Sequence, residues 1–240
     1  MEARLPAAEI CKIVHISARK KLLYVAVPKV ACTSIKIALS RAERDNPDFN
    51  PEKPHNRKEN LLQSVSCKGG YEAAIERINA PAFFRFTFVR NPFVRVLSAY
   101  LDKFAERQGP IRRARVNRRA KLGFDASTPV SFTMFVDALA QQRAADMDVH
   151  WRVQTEQTLF GDIRYDLVGR MESFSSDMAR LAESTGVDLR ALMPPPHNRT
   201  DAKCRLTDFY TPGIVDIVRR VYAPDFDAFG YTDTLPDQTV

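Results

Sequence analysis

The apolar run LLYVAV, residues 22–27, constrains the fold of this chain more than any other stretch. Because it is apolar at nearly every position, it predicts a strand buried on both faces, as in a parallel sheet. FFRFTFV at 83–89 predicts a second strand of this kind, and YDLVGR at 165–170 predicts a third. Residues 13–16 predict a further strand, joined to 22–27 by a turn at 18–21.

Helical patterns separate these strands. Asn91-Pro92 ends the strand at 83–89 and opens a helix, because proline is favoured at the first helical position. The other predicted helices are 33–44, 70–79, 131–143, 149–159, 172–185 and 212–222. Strands that alternate with helices predict an α/β fold with a central parallel sheet flanked by helices. In such sheets ligands bind at the carboxyl ends of the strands.

The chain has 240 residues, enough for one generous domain, and we expect a single domain over 1–240. Its formal net charge is +7. A basic balance suits anionic partners such as nucleotides, nucleic acid, acidic glycans or a membrane surface, and does not choose among them.

The cysteines and the N-terminus bear on the cellular compartment. The four cysteines have no C-x-x-C spacing, which argues against a zinc site, and we expect no metal. They predict free thiols in a reducing compartment. No signal peptide and no membrane span is predicted from the sequence, because charges interrupt the N-terminal apolar residues. We therefore expect a soluble cytoplasmic protein.

The loop VPKVACTS between the first buried strand and its helix is a candidate phosphate site. Helix N-terminal N–H groups and the helix dipole favour an anion there. Lys29 adds a positive charge, and Thr33 and Ser34 add hydroxyl donors. A Walker loop has lysine directly before serine or threonine, and glycines that this loop lacks. A plain polar turn with Thr33 as N-cap stays open as the alternative.

The loop VRNPFVRVLS after the second strand is the other candidate. Arg90 follows the strand directly, and Ser98 lies about two helical turns further on. An arginine at a strand end with a helical serine is suited to a second phosphate. The alternative places Arg90 and Arg95 in surface ion pairs.

Taken together, the two loops resemble those of a known family. V-P-K-V-A-C-T-S followed by F-V-R-N-P-F-x-R-x-x-S-A-Y is similar to the Golgi carbohydrate sulfotransferases of the chondroitin and dermatan 4-O-sulfotransferase branch. The likeness continues through His150-Trp151, Y-D-L-V-G-R-M-E at 165–172, N-R-T-D at 198–201 and V-Y-x-x-D-F-x-x-F-G-Y at 221–231. It covers nearly the whole chain and implies a P-loop-kinase-like sulfotransferase fold.

The resemblance implies a donor, 3′-phosphoadenosine 5′-phosphosulfate (PAPS), and roles for the loop residues. The 5′-phosphosulfate side would be held by Lys29, Val30, Ala31, Cys32, Thr33 and Ser34. Arg90 and Ser98 would hold the 3′-phosphate, and Arg199 and Thr200 match a segment that would close over the donor. Lys29 would also stabilise charge on the leaving oxygen during in-line transfer.

A general base is needed to take the proton of the acceptor hydroxyl, and histidine has a suitable pKa. His55 matches a family histidine in a corresponding loop, and a related sulfotransferase group uses a histidine there as the base. We therefore predict His55 as the base and place His150 second. We expect His15 to be structural, and His197 to lie where it can touch either ligand.

The basic segment at about 107–122 carries six arginines or lysines between Arg112 and Lys121. We expect a mobile surface insertion that either attracts an anionic acceptor or is only a solvated face. The acceptor implied by the resemblance is a carbohydrate hydroxyl. Neither nucleic acid nor a membrane span is expected.

The chain departs from the Golgi enzymes in two ways. Their paired cysteines before Y-D-x-V-G are replaced here by Phe160 and Ile163, and no membrane anchor is visible. Both departures fit a bacterial cytoplasmic homologue, and a Golgi location would require that an anchor had been removed. Two other functions stay open: a nucleotide kinase or NTPase, and a non-catalytic binder of acidic glycan or nucleic acid.

Overall fold

The computed structural model describes residues 5–105, 113–125, 127–195 and 200–237. The chain separates into two compact units, each built from two stretches of sequence. Unit 1 comprises Met1–Val89 and Glu156–His197, and unit 2 comprises Arg90–Thr155 and Asn198–Val240. The expectation of a single domain over the whole chain stays a prediction.

The strands of the described residues are β1 (Val14–Ser17), β2 (Leu22–Val25), β3 (Phe84–Val89) and β4 (Leu167–Arg170). The α-helices of the same residues are α1 (Ala7–Ile13), α2 (Cys32–Arg44), α3 (Arg57–Asn60), α4 (Gly70–Asn79), α5 (Pro92–Lys103), α6 (Arg113–Lys121), α7 (Phe132–Ala140), α8 (Gln154–Gln157), α9 (Phe174–Thr185), α10 (Leu206–Phe209), α11 (Pro212–Val221) and α12 (Ala223–Phe229). Short 3₁₀ helices cover Ala144–Asp146 and Ala202–Arg205.

Unit 1 contains a sheet with the strand order β1-β2-β3-β4. The strands β2, β3 and β4 are parallel, whereas β1 is antiparallel to β2 because a tight turn joins the two. Helices connect the parallel strands in sequence. The predicted α/β class with a central, mostly parallel sheet is therefore confirmed.

Side chains of each strand alternate between the two faces of the sheet, and helices cover both faces. Leu22 and Tyr24 of β2 pack in one cluster with apolar residues of α2 and α9. Leu23 and Val25 of the same strand pack in a second cluster with residues of α1 and α4. This explains why β2 reads as a continuous apolar run, since neither of its faces meets water.

The aromatic residues of β3 belong to the core, as the sequence predicts. Phe86 and Phe88 are fully buried. The ring of Phe88 leaves no room for a side chain at Gly169 of β4, because a Cβ atom there would lie 2.4 Å from a ring carbon. Gly169 is thus required by the close approach of the two strands' side chains.

Unit 2 is helical in its described residues. Its core joins α5, α7, α11 and α12, and is dominated by aromatic side chains, among them Phe93, Phe135, Trp151, Tyr222 and Phe226. The buried hydroxyl of Tyr210 donates to the carbonyl of Phe93 at 2.8 Å. Such bonds let a large aromatic ring fill a core without leaving its polar group unsatisfied.

The predicted helix over 149–159 is wrong, because only the short α8 forms there. The backbone N–H groups of Gln154 and Thr155 donate to the buried carboxylate of Asp225, at 2.8 Å each, instead of to carbonyls of a preceding helical turn. A tertiary contact has replaced the helical hydrogen bonds. The residues after 222, expected as a tail, form α12.

The basic segment at about 107–122 contains a helix in its described part, and its mobility stays a prediction. Residues 113–121 form α6, which consists mainly of arginine, alanine and lysine, all good helix formers. Arg119 is buried and Leu122 directly after the helix is buried as well, so one end of the segment is anchored. Residues 107–112 lie outside the described residues.

The expectation of four free thiols is wrong for two of them. Cys11 and Cys67 form a disulfide, with their Cα atoms 6.4 Å apart, while Cys32 and Cys204 remain thiols. Pairing of β1 with Gln63 brings these two segments together. The cellular location stays a prediction, but these two cysteines no longer support a reducing compartment.

No helix among the described residues is both long and apolar enough to cross a bilayer.

Candidate active site

The first loop, Pro28–Ser34, leads from β2 into α2 without a glycine. Lys29 has a φ of 70° and Ala31 a φ of 47°, so two ordinary residues adopt the left-handed conformation. That conformation costs about 1–2 kcal/mol for a residue with a Cβ atom. Val30 between them is fully buried and fixes the loop against the core. The loop therefore turns as sharply as a glycine loop, at the cost of local strain.

The N-terminus of α2 is open. Its N-cap is Ala31, and no side chain of the described residues caps the first turn, so the predicted alternative of Thr33 as the N-cap is wrong. The first N–H groups of a helix need an acceptor, and they carry the positive end of the helix dipole. A 13-residue helix with an uncapped N-terminus and Lys29 in the preceding loop suits a phosphate or phosphosulfate group.

Thr33 and His55, two of the candidate site residues, lie close together in unit 1. The Oγ1 atom of Thr33 lies 3.3 Å from Nε2 of His55. On the other side of the ring, Nδ1 of His55 lies 3.2 Å from Nζ of Lys36. His55 itself is exposed, so a substrate can reach its ring. The arrangement places a candidate base beside the hydroxyl of the first loop.

Lys36 is the residue of this group that the sequence prediction missed. Its side chain is 7% exposed, and burial lowers its pKa, with Arg57 adding to the shift and the Cys32 thiol opposing it. Lys36 lies three residues after Thr33, and such residues share a helix face. That spacing was the signal available in the sequence.

The segment that carries His55 is fastened to β1. Arg57 donates hydrogen bonds to the carbonyls of Cys11 and Val14, the latter at 2.8 Å. The side chain of Asn56 accepts from the N–H of Lys58 and caps α3. These bonds fix the backbone on the C-terminal side of His55. His55 is therefore held in place although it lies in an exposed loop.

His15 is structural, as expected. It lies on β1, is 2% exposed, and neither of its ring nitrogens has a hydrogen-bond partner in the described part of the chain. Burial lowers its pKa well below the usual value, and the nearby Lys36 and Arg57 add to the shift. A neutral imidazole at this position is the consequence.

The second loop, at the start of unit 2, is held by a buried polar network. The N–H of Arg90 donates to Oε1 of Gln154 and its carbonyl accepts from Nε2 of Gln154, both at 2.9 Å. Gln154 is held in turn by Asp225, a fully buried carboxylate. The backbone of Arg90 is thus fixed by a side chain 64 residues away, while its own side chain is half-buried.

Arg95 is not a surface residue, which corrects the ion-pair interpretation for it. It is 1% exposed and donates to the carbonyls of Arg152, at 2.7 Å, and Val149, at 3.2 Å. A guanidinium has five donors in a fixed geometry, which suits it to organise an irregular segment. Arg95 therefore shapes the chain around His150.

Ser98 and Thr200 are also brought together. The Oγ atom of Ser98 lies 2.9 Å from Oγ1 of Thr200. Ser98 is buried on α5 and Thr200 is half-buried. The two predicted donor-binding hydroxyls of unit 2 therefore form one pair. Arg199 and His197, which the sequence analysis also singled out, lie outside the described residues.

His150 has a carboxylate partner. Its Nδ1 atom lies 2.5 Å from Oδ1 of Asp148, and the same oxygen accepts from its backbone N–H at 3.1 Å. Burial disfavours the Asp148 carboxylate, but the bonds from His150 outweigh this and lower the pKa of Asp148 to about 2. Burial lowers the pKa of His150, against the opposing effect of Asp148. Because a carboxylate only accepts, Nδ1 of His150 carries the proton.

No cluster of three or more potential metal-ligating side chains is found within residues 5–105, 113–125, 127–195 and 200–237. The open end of α2, by contrast, fits the phosphosulfate group of the predicted donor.

Comparison with known proteins points the same way. The sequence profile of the Sulfotransferase family matches residues 14–232. Carbohydrate sulfotransferase 12 of Mus musculus is 28% identical over 89% of this chain and 58% of the relative. Carbohydrate sulfotransferase 12 of Xenopus laevis is 26% identical over 95% of this chain and 61% of the relative, and carbohydrate sulfotransferase 14 of Danio rerio is 27% identical over 91% and 61%.

This chain thus spans about three-fifths of the length of these relatives. No solved structure matches. Because the family profile covers most of the sequence, including both loops, the chain belongs to the Sulfotransferase family.

Proposed function

We propose that this protein transfers a sulfuryl group from PAPS to a hydroxyl of a carbohydrate. The observation that carries the proposal is the uncapped N-terminus of α2 behind the strained loop of Lys29 and Ala31. The family match and the names of the relatives support the reaction and the acceptor class.

In this proposal the first loop binds the 5′-phosphosulfate. The N–H groups at Cys32, Thr33 and Ser34 begin α2 and are suited to donate hydrogen bonds to an anion. Lys29 supplies the positive charge at the bridging oxygen, and the hydroxyls of Thr33 and Ser34 donate to the outer oxygens. Such fixed donors act on charge that develops as the bond breaks.

The 3′-phosphate is assigned to Arg90 and Ser98. A guanidinium binds a phosphate through two parallel hydrogen bonds. The network of Gln154 and Asp225 supports this assignment, since it fixes the backbone from which Arg90 projects. A nucleoside triphosphate has no 3′-phosphate and would leave this arginine without its ligand.

The reaction then follows in one in-line step. The acceptor oxygen forms a bond to sulfur as the bond from sulfur to the 5′-phosphate oxygen breaks, and adenosine 3′,5′-bisphosphate leaves. The hydroxyl proton passes to Nε2 of His55, our first candidate for the base. His150, with its ring oriented by Asp148, stays the second candidate.

The test is donor selectivity. We expect adenosine 3′,5′-bisphosphate to raise the melting temperature of the protein and ATP with Mg²⁺ to have little effect. Arg90→Ala should weaken bisphosphate binding by about 10–100-fold, the range for a lost bond to a charged group. Arg190→Ala, an exposed arginine of unit 1, is the control. Stabilisation by ATP alone would replace our proposal with a nucleotide kinase or NTPase.

The acceptor is proposed only as a class. The basic helix α6 favours an anionic carbohydrate, since its arginines attract negative charge. A screen of neutral and acidic glycans with radiolabelled donor would identify it, and steep salt dependence would accompany an anionic acceptor.

A further inference from the structure

We propose that Lys36 is a positioning residue: as a neutral amine it accepts a hydrogen bond from Nδ1–H of His55 and so leaves Nε2 of His55 unprotonated. The inference deepens the proposed function and rests on it, because it gives His55 the protonation state that a general base needs. It starts from the two contacts of the His55 ring, 3.2 Å to Nζ of Lys36 and 3.3 Å to Oγ1 of Thr33.

Only two proton arrangements satisfy both contacts of a neutral imidazole. If Lys36 is an ammonium, it can only donate, so Nδ1 accepts and the ring proton sits on Nε2. Nε2 then donates to Thr33 and cannot take a proton from a substrate. If Lys36 is a neutral amine, its lone pair can accept from Nδ1–H, and Nε2 then accepts from the hydroxyl of Thr33, which turns to the donor when PAPS binds. Only this second arrangement makes His55 a base at Nε2.

The surroundings of Lys36 favour the neutral amine. Its side chain is 7% exposed, and no carboxylate lies within ion-pair distance of it among the described residues. The groups facing it are His15 of β1, Arg57 of α3, His55 and, on its own helix, Cys32. An ammonium buried without a carboxylate is costly, and Arg57 raises that cost.

The position of Lys36 is set by its helix. It lies in the buried part of α2, and Oγ of Ser40 donates to its carbonyl at 2.7 Å. A lysine side chain loses rotamer freedom of up to about 2 kcal/mol when fixed. Burial of its carbon stem offsets that cost and places the amine beside Nδ1 of the exposed His55 ring.

The proton balance of the step is then complete. The acceptor hydroxyl gives its proton to Nε2 of His55 while its oxygen bonds to sulfur. The resulting imidazolium carries protons on both nitrogens, and its Nδ1–H points at the lone pair of Lys36. A neutral amine in that position stabilises the imidazolium, whereas an ammonium would repel it.

The decisive measurement is the tautomer of His55, read by long-range ¹H–¹⁵N NMR on protein with ¹⁵N-labelled histidine. His55→Gln assigns the signals. We expect the proton on Nδ1 in the wild type, and on Nε2 in Lys36→Arg, because a guanidinium only donates. Lys36→Met, which offers no amine, should lose the Nδ1 preference. Lys58→Met, at an exposed lysine of α3, should match the wild type.

A proton on Nε2 in the wild type would overturn the proposal, as would an unchanged tautomer in Lys36→Arg and Lys36→Met. Kinetics give the second readout. We expect kcat in Lys36→Arg to fall by about 10²-fold or more while the affinity for adenosine 3′,5′-bisphosphate stays within about twofold. Failure of the wild type to bind that bisphosphate would instead count against the proposed function. The NMR measurement would still test the tautomer of His55 independently.

Discussion

The two strand-to-helix loops hold their backbones by different means. The first loop, in unit 1, turns through the left-handed residues Lys29 and Ala31 and stores its cost as local strain. The second, in unit 2, keeps Arg90 in place through Gln154 and the buried Asp225. In the first loop the backbone itself is the proposed ligand, so it must stay uncapped. In the second loop the side chain of Arg90 is the group proposed to bind the phosphate, so its backbone can be held by hydrogen bonds to Gln154.

The two candidate bases differ in a parallel way. His55 of unit 1 meets an amine at Nδ1, whereas His150 of unit 2 meets the carboxylate of Asp148. A carboxylate places the ring proton on Nδ1 and stabilises the charged imidazole, while Lys36 can hold the proton there only as a neutral amine. The comparison teaches that orientation of a histidine does not by itself identify the base.

The largest expected effect concerns these histidines. His55→Gln should lower kcat by about 10²–10⁴-fold, the usual contribution of a general base, with little change in donor affinity. His150→Gln should lower kcat much less. Steady-state rates with saturating donor measure both. If His150→Gln instead lowers kcat more than His55→Gln does, the base is His150 and not His55.

Removal of the carboxylate beneath the second loop should have the next largest effect. Asp225→Ala leaves the N–H groups of Gln154 and Thr155 and the side chain of Gln154 without their acceptor. We expect a loss of about 3–5 kcal/mol in the free energy of unfolding, measured by urea denaturation. Asp227→Ala, at an exposed position of the same helix, is the control. Equal stability of the two variants would remove the network from the account.

Acid should destabilise unit 1 through His15. Its pKa in the folded protein lies well below the unfolded value of about 6.5, so the unfolded state binds more protons below that pH. Stability is therefore present near pH 7 and falls as pH drops below about 6.5, by at most about 1.4 kcal/mol per pH unit.

His15→Leu should abolish this contribution while changing stability at pH 7 little, because no hydrogen bond from the described residues to the ring is lost. Urea midpoints at pH 7 and pH 5 measure it. An undiminished pH slope in the variant would show that other groups are responsible.

The smallest effect is expected in the first loop. Ala31→Gly removes the left-handed penalty of about 1–2 kcal/mol but adds about 0.5–1 kcal/mol of backbone entropy cost, so stability should change by about 1 kcal/mol or less, in the favourable direction. Ala38→Gly, in the buried middle of α2, should destabilise by about 1 kcal/mol or more. Thermal unfolding of both variants checks this, and equal losses would contradict strain at Ala31.

The sequence predicted the elements whose residues act locally. The continuous apolar runs at 22–27 and 83–89 identified β2 and β3, and the proline after Asn91 identified the start of α5. The contacts of Thr33 with His55, and of Ser98 with Thr200, join residues that were candidates for the active site. Periodicity and turn chemistry identify the strands and helices, whereas His55 and Thr200 were candidates because of the family resemblance.

The residues that sequence reasoning missed act over long separations. Asp225 accepts hydrogen bonds from the chain 70 residues before it, and no local pattern predicts this contact. The same contact replaces the hydrogen bonds of the helix predicted over 149–159. The disulfide joins cysteines 56 residues apart. Lys36 lies on a helix that the sequence predicted. Its contact with His55, however, depends on where the fold places the loop that carries His55. Side chains whose role is to hold other residues are seen only in the fold.

The transfer reaction itself tests the central claim most directly. Protein is incubated with ³⁵S-labelled PAPS and a panel of carbohydrates, and label in the carbohydrate is counted beside the adenosine 3′,5′-bisphosphate formed. We predict equal amounts of the two products with at least one carbohydrate, and a loss of both in Lys29→Ala but not in Lys58→Ala. If the wild type binds the bisphosphate yet labels no carbohydrate while labelling another class of hydroxyl, the acceptor is wrong; if it transfers no sulfate at all, the account is contradicted.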